Sequence, residues 1–157
     1  MTELPGIDEL TANQYAVADA AVKAAAVSPQ SGWSAGQVVA HLILNNGLFI
    51  EAARAAQRGE KPEYDNETTV DNVATASLAA AAGSTEQLAE WLRQSALGYA
   101  GFLSGLTPEI LAMPLLTTIH HDGAIIVDHD ERKLGEFMLG QLMFHSQMHL
   151  DQVQQLS

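Results

Sequence analysis

The chain has 157 residues, 19 acidic against 7 basic side chains for a formal charge of −12, and no cysteine. That length can bury most of the surface its unfolded chain exposes, so one domain over 1–157 needs no disulfide. The missing cysteine excludes thiolate zinc sites, iron–sulfur clusters, CxxC redox chemistry and cysteine nucleophiles, and leaves His, Asp and Glu to hold any metal.

The seven basic residues are scattered from Lys23 to Lys133. Nucleic-acid binding needs clustered Lys and Arg, so neither nucleic acid nor an anionic membrane surface is the expected partner. The N-terminal residues lack the basic and apolar regions of a secretory signal, and no stretch approaches the ~18 apolar residues of a membrane span. The expected location is the cytoplasm and the expected partner a small molecule.

Alanine blocks at 18–26 and 74–82 and the scarcity of long β-branched runs predict a mostly helical chain. A first amphipathic helix runs from about Ile7 to Val27, with Ile7, Leu10, Val17, Ala21 and Ala25 at helical spacing until Ser28-Pro29. Ser34 with Gln37 three residues on is a capping box, and Trp33 before it can staple onto Val38. That second helix reaches Gln57 or Arg58 and stops at Gly59. Residues 59–70 are polar, include Pro62 and read as a long crossover. Asp71 begins an Ala-rich helical stretch; Gly83 interrupts it, and Ser84 with Gln87 opens a helix to about Leu103, leaving one kinked helix or two. Leu115–His120 faces Ala124–Val127 across His121-Asp-Gly123, a hairpin signal. The last helix runs from about Arg132 to Gln155. Four main helices with one long crossover predict an all-α four-helix bundle, decorated by a small β-hairpin before the last helix.

On that last helix His145 and His149 lie about 40° apart, one turn above the other, the spacing two imidazoles need to share a metal. Leu134, Met138, Leu142, Gln152 and Leu156 fall within about 60° of them, so both histidines point to the core. On the second helix His41 shares the apolar stripe with Val38, Asn45, Leu48 and Ala52. Three neutral imidazoles with a fourth position open describe a catalytic rather than a closed structural site. A competing reading keeps each histidine as a hydrogen-bonded core residue, His41 against a neighbour such as Asn45. Because ligating imidazoles must be neutral, metal occupancy is expected to fall below about pH 6.5.

Gly32-Trp33-Ser34, then Val39-Ala40-His41-Leu42, then His145-x3-His149-x2-Gln152 near the C-terminus resemble the DinB/YfiT-like superfamily of metal-dependent proteins over nearly the whole chain. The resemblance implies a four-helix bundle in up-down-down-up order and a metal, zinc or nickel, on His41, His145 and His149. Gln152 matches a recurrent position, where it would back a ligand or simply pack; Leu150-Asp151 replaces the basic residue that often follows the last histidine. The resemblance further implies an enzyme that activates a low-molecular-weight thiol such as bacillithiol or mycothiol, or a water, for S-transfer or hydrolysis, with the homodimer a frequent assembly. The alternative is a non-catalytic metal- or small-molecule-binding stress-response protein.

His120, His121 and His129 lie in or beside the hairpin with Asp122, Asp128 and Asp130, without regular ligand spacing, and read as solvated or as the mouth of a pocket. Glu51 sits at the edge of the inward stripe and reads as a solvated carboxylate rather than a general base. No Ser-His-Asp order, phosphate loop or dinucleotide fingerprint is present.

Overall fold

Both halves of the capping box at Ser34 form: its hydroxyl accepts from the Gln37 N–H at 3.2 Å, and the Gln37 side chain accepts from the Ser34 N–H at 3.1 Å. They open the longest helix of a computed structural model that describes residues 3–29 and 32–156. The elements in order are α1 (Ile7–Lys23), α2 (Ala35–Gln57), β1 (Glu63–Asp65), a 3-10 turn (Thr68–Val70), α3 (Asn72–Ala81), α4 (Thr85–Ser104), α5 (Pro108–Leu111), β2 (Pro114–His121), β3 (Ala124–Lys133), α6 (Leu134–Gly140), a π turn (Gln141–His145) and α7 (Ser146–Gln154). The chain is mostly helical with one small three-stranded sheet.

Three differences from the sequence-based expectations, and the choice those left open between one kinked helix and two, are seen locally. Helix α1 ends at Lys23 rather than Val27: Ala24 leaves helical geometry at φ −92°, ψ 6°, and the chain unwinds through tight turns from Ala25 to Val22 and from Val27 to Ala24. Gly83, at φ +81°, separates α3 from α4, and Ser84 caps α4 by accepting from the Gln87 N–H at 3.1 Å, so the Ala-rich stretch is two helices. Strand β3 continues through Arg132 and Lys133, which pair with Leu115 and Pro114, and the last helical segment therefore starts at Leu134, not Arg132. The polar crossover also supplies a strand: Glu63, Tyr64 and Asp65 pair parallel with Leu116, Thr117 and Thr118, giving the order β1-β2-β3. The β2–β3 turn is the Asp122-Gly123 pair, both at positive φ, as that hairpin turn demands.

Helix α1 packs mainly against α4 and α7, and α2 against α4 and α3. The apolar core falls into two clusters. One holds Leu10, Phe49, Tyr99, Leu103, Leu115, Leu134, Met138 and Leu142; the other holds Val17, Ala21, Val38, Leu42, Leu88, Leu92 and Val153. On every long helical unit a polar residue lies in the chain between a member of one cluster and a member of the other: Gln14 on α1, Asn45 and Asn46 on α2, Ser95 on α4, and Ser146 at the head of α7. Gln141 joins this layer through Asn45 and Asn46 and carries it to His145.

Gly135 lets α5 approach α6: a Cβ built there would sit 2.9 Å from Leu111 Cβ and 3.0 Å from its carbonyl oxygen. Gly135→Ala should therefore lower stability by about 1–3 kcal/mol through overpacking. Gly98, exposed within α4 with nothing near its missing Cβ, should gain about 0.5–1 kcal/mol as alanine. Urea midpoints of the two variants, moving in opposite directions, check both.

Candidate metal centre

His41 comes from the second turn of α2, His145 from the end of the π turn and His149 from α7. Their Nε2 atoms converge, with His145 Nε2 lying 3.2 Å from that of His41 and 3.0 Å from that of His149. The rings pack edge to face, with centroids 4.5–5.0 Å apart.

The other ring nitrogen decides what these contacts are. His41 Nδ1 lies 2.7 Å from the Thr69 carbonyl, His145 Nδ1 lies 2.6 Å from Gln141 Oε1, and His149 Nδ1 lies 2.7 Å from Gln152 Oε1. All three partners are oxygen acceptors, so each imidazole carries its proton on Nδ1 and turns a bare Nε2 lone pair inward. Three lone pairs at this spacing, with no proton between them, repel one another unless a cation sits among them. Two nitrogens bound at about 2.05 Å lie about 2.9 Å apart at a right angle and about 3.3 Å apart at the tetrahedral angle. The observed separations fall in that interval, and the three histidines could hold a divalent metal.

The sequence folds to this arrangement through short local devices. The Thr69 carbonyl reaches His41 because Asn66 shapes the 3-10 turn: its carbonyl accepts from the Thr69 N–H and hydroxyl, while its side chain bonds the backbone of His120 at the end of β2. The π turn adds a residue to the last helix and releases backbone carbonyls. The Asn13 side chain donates to two of them, Met143 at 2.9 Å and Leu142 at 3.4 Å, and the Ser146 hydroxyl donates to a third, Gln141, at 2.6 Å. Gln141 thereby presents its side chain to His145 and also accepts from Asn45, whose Oδ1 accepts from the Tyr64 hydroxyl at 2.7 Å. The Gln141 amide nitrogen donates to Asn46, which exchanges hydrogen bonds with Gln14 and donates to Ser95. A closed polar network thus spans all four long helical units.

Burial lowers the basicity of all three rings. His41 is depressed to about 4, by burial first and then by the nearby His149; His145 is depressed to about 2, by burial and then by the other two imidazoles. His149 is lowered by burial, against the hydrogen bond to Gln152. Protons therefore compete for these nitrogens at lower pH than the ordinary value near 6.5 suggests, and the expected loss of metal below that pH moves downward. Burial raises the Tyr64 phenol, which stays a donor to Asn45.

The structure brings His41, His145 and His149 together and puts Gln152 against His149. Asn45 stands one step back, touching Gln141 rather than a histidine. Of the hairpin histidines, His120 and His121 both line the same cleft, His120 with Nε2 2.9 Å from Asp65 of the crossover and His121 exposed beside Asp122; His129 is exposed beside Asp128. Glu51 is exposed and paired with Arg54. Trp33 packs its ring 5.1 Å from that of His41 and donates to Asn72, so its position serves the centre as well as the helix start. Gln141 and Thr69 were not among the residues that periodicity and motif spacing pointed to. Gln141 stands four residues before His145, a spacing that could have been read; a backbone carbonyl such as that of Thr69 leaves no signal.

A histidine held neutral by burial makes stability depend on pH. In the unfolded chain these rings bind protons below about 6.5, where the folded protein still refuses them. The metal-free protein should be fully stable above pH 6.5 and lose roughly 1 kcal/mol or more per pH unit as pH falls toward 4. Urea midpoints between pH 7.5 and 4.5 check this; a His145→Gln variant should show a shallower slope.

Comparison with protein families matches residues 5–121 to the mycothiol maleylpyruvate isomerase N-terminal domain. The matched segment is about three quarters of the 157 residues and includes Trp33, His41 and Thr69, while His145 and His149 lie beyond it. Searches among curated proteins and among solved structures gave no match. The chain belongs to the mycothiol maleylpyruvate isomerase N-terminal domain family, and with it to the DinB/YfiT-like superfamily of helical domains.

Proposed function

We propose that this protein is a metal-dependent enzyme whose His41, His145 and His149 hold one divalent ion, zinc or nickel, at the floor of a cleft that receives a small-molecule substrate and a low-molecular-weight thiol. The observation that carries it is the set of three inward Nε2 lone pairs, each fixed by an Nδ1–H donated to an oxygen. A core-histidine role does not require that arrangement, since a purely structural trio would share protons across the 3.0 and 3.2 Å contacts.

When bound there, a divalent ion lowers the pKa of a coordinated thiol or water and supplies a nucleophile at neutral pH. The chain contributes the rest. Thr69, Gln141 and Gln152 hold the three rings in one tautomer and orientation. The polar network behind Gln141 fixes that side chain from α1, α2 and α4. No cysteine competes as nucleophile or ligand, so the sulfur comes from the cosubstrate. Membership of a mycothiol-associated family supports a thiol over water. The reading includes a single domain folded as a four-helix bundle in up-down-down-up order, its long helices being α1, α2, α4 and the α6–α7 unit. It also includes a cytoplasmic setting, where such thiols are kept reduced.

Protein purified without chelator should carry about one metal per chain by elemental analysis. His145→Ala should weaken binding by at least about 100-fold, since it removes a ligand rather than a support. Metal uptake unchanged in His145→Ala would refute the centre; a loaded protein that consumed neither thiol nor chlorinated electrophile would refute catalysis. Gln141→Leu and Gln152→Leu remove only the orienting acceptors and should each cost roughly 10–100-fold in metal affinity. Competition against a chromophoric chelator measures both.

A further inference from the structure

The three histidines open into a cleft of about 1390 Å³ whose remaining wall has two distinct characters. The first is acidic. Glu67, Asp71, Asp122, Glu131 and Glu136 line it, against Arg132 and Lys133. Both cations face carboxylates already: Arg132 Nε lies 2.8 Å from Asp130, and Lys133 Nζ lies 3.7 Å from Glu136. Two cations against five carboxylates leave the wall at a formal −3, which a divalent ion on the histidines would not cancel. Carboxylates and phosphates are recognised by arginine forks or lysines available to them, and here each such group is engaged by an acid of the chain itself.

The second character is apolar. Phe144 and Met148, one helical turn apart and each adjacent to one of the histidines, are 82% and 56% exposed, and Ile126 on β3 is 61% exposed. All three line the same cleft. Isolated exposed apolar side chains are ordinary, but three around one mouth form a surface that a ligand can cover.

We propose that the cleft admits an uncharged or cationic molecule with an apolar body and turns anionic ones away. This rests on the reading of the cleft as a small-molecule site given above. An approaching anion meets the exposed carboxylates before the histidines, whereas a neutral thiol crosses them without like-charge repulsion; on a metal held there its S–H proton would pass to solvent as the sulfur–metal bond formed. Phe144, Met148 and Ile126 would lie along the apolar part of such a molecule.

Two measurements test the inference. Trp33 lines the cleft, so in a Trp91→Phe protein its fluorescence reports what enters. With quenching constants normalised to free N-acetyltryptophanamide at low ionic strength, caesium should exceed iodide by about threefold or more, with acrylamide between them. The combined Glu67→Gln, Asp122→Asn, Glu136→Gln variant should bring caesium and iodide together. Iodide quenching equal to or above caesium in the unmodified cleft would overturn the proposal.

The second measurement uses the cobalt-loaded protein and three benzyl thiols alike except at the para position: carboxylate, methyl and trimethylammoniomethyl. The sulfur-to-cobalt charge-transfer band should report the neutral and cationic thiols bound about tenfold or more tighter than the carboxylate, a gap that narrows in 0.5 M salt. Phe144→Ser should weaken the neutral thiol about threefold or more. A carboxylate thiol bound as tightly as the neutral one would overturn the inference. Bound cobalt with no such band from any of the three would instead overturn the thiol reading of the centre, and the quenching result would still decide the charge selectivity of the cleft.

Discussion

The structure depends on a buried polar layer that must be satisfied completely. Burying an amide or imidazole without partners costs several kilocalories per mole in an apolar interior, and a half-satisfied network is worse than none. Between its two apolar clusters this chain places Gln14, Asn45, Asn46 and Ser146, joined by Gln141 and, through His145, by His41; apart from His145, these side chains are buried. Each amide meets a partner of matching polarity, so the layer fixes the relative register of α1, α2, α4 and α7 in a way that leucines and alanines, interchangeable within a volume, cannot. Beside this layer three Nε2 atoms face one another with no proton between them.

The π turn connects that constraint to the chemistry. A regular helix from Leu134 to Gln154 would close its interior backbone hydrogen bonds and leave the carbonyls of 141–143 without a need for side-chain donors. Inserting a residue at Gln141–His145 exposes carbonyls that Asn13 and Ser146 then satisfy, and it turns Gln141 toward both His145 and the amides of α2. The local cost of the irregular turn is offset by side-chain bonds from elsewhere in the chain, so the turn is specified by tertiary structure and persists only in the folded protein. Because His145 lies 104 residues from His41, anything that binds all three imidazoles binds the folded chain alone and adds its binding free energy to stability.

The legible part of the molecule followed from periodicity and capping. Ser34 and Gln37 marked the start of α2, Gly83 and Ser84 the start of α4, and Asp122-Gly123 the hairpin turn, because each acts on atoms two to four residues away. The inward direction of His41, His145 and His149 followed from the same arithmetic, although the π turn at Gln141–His145 breaks the 100° rule between α6 and α7. Strand β1 was not legible: three residues with a single inward Tyr64 carry no alternation, and only the edge of β2 makes them a strand. Nor was the Thr69 carbonyl, since backbone acceptors have no sequence. The approach of His120 to Asp65 across 55 residues was hidden because contacts between side chains far apart in the chain leave no local pattern.

Burial of the three rings also settles a competition between two demands on them. A metal ligand must be neutral, and a histidine of ordinary basicity is partly protonated near neutral pH. Withdrawing the imidazoles from water removes the proton as a rival, at the cost of desolvating three lone pairs. Those lone pairs regain nothing from one another, because every Nδ1 proton is already donated outward. The same enclosure would make a metal-free state the less stable one for any divalent ion that these histidines can hold, and the acidic wall above them raises the local concentration of cations.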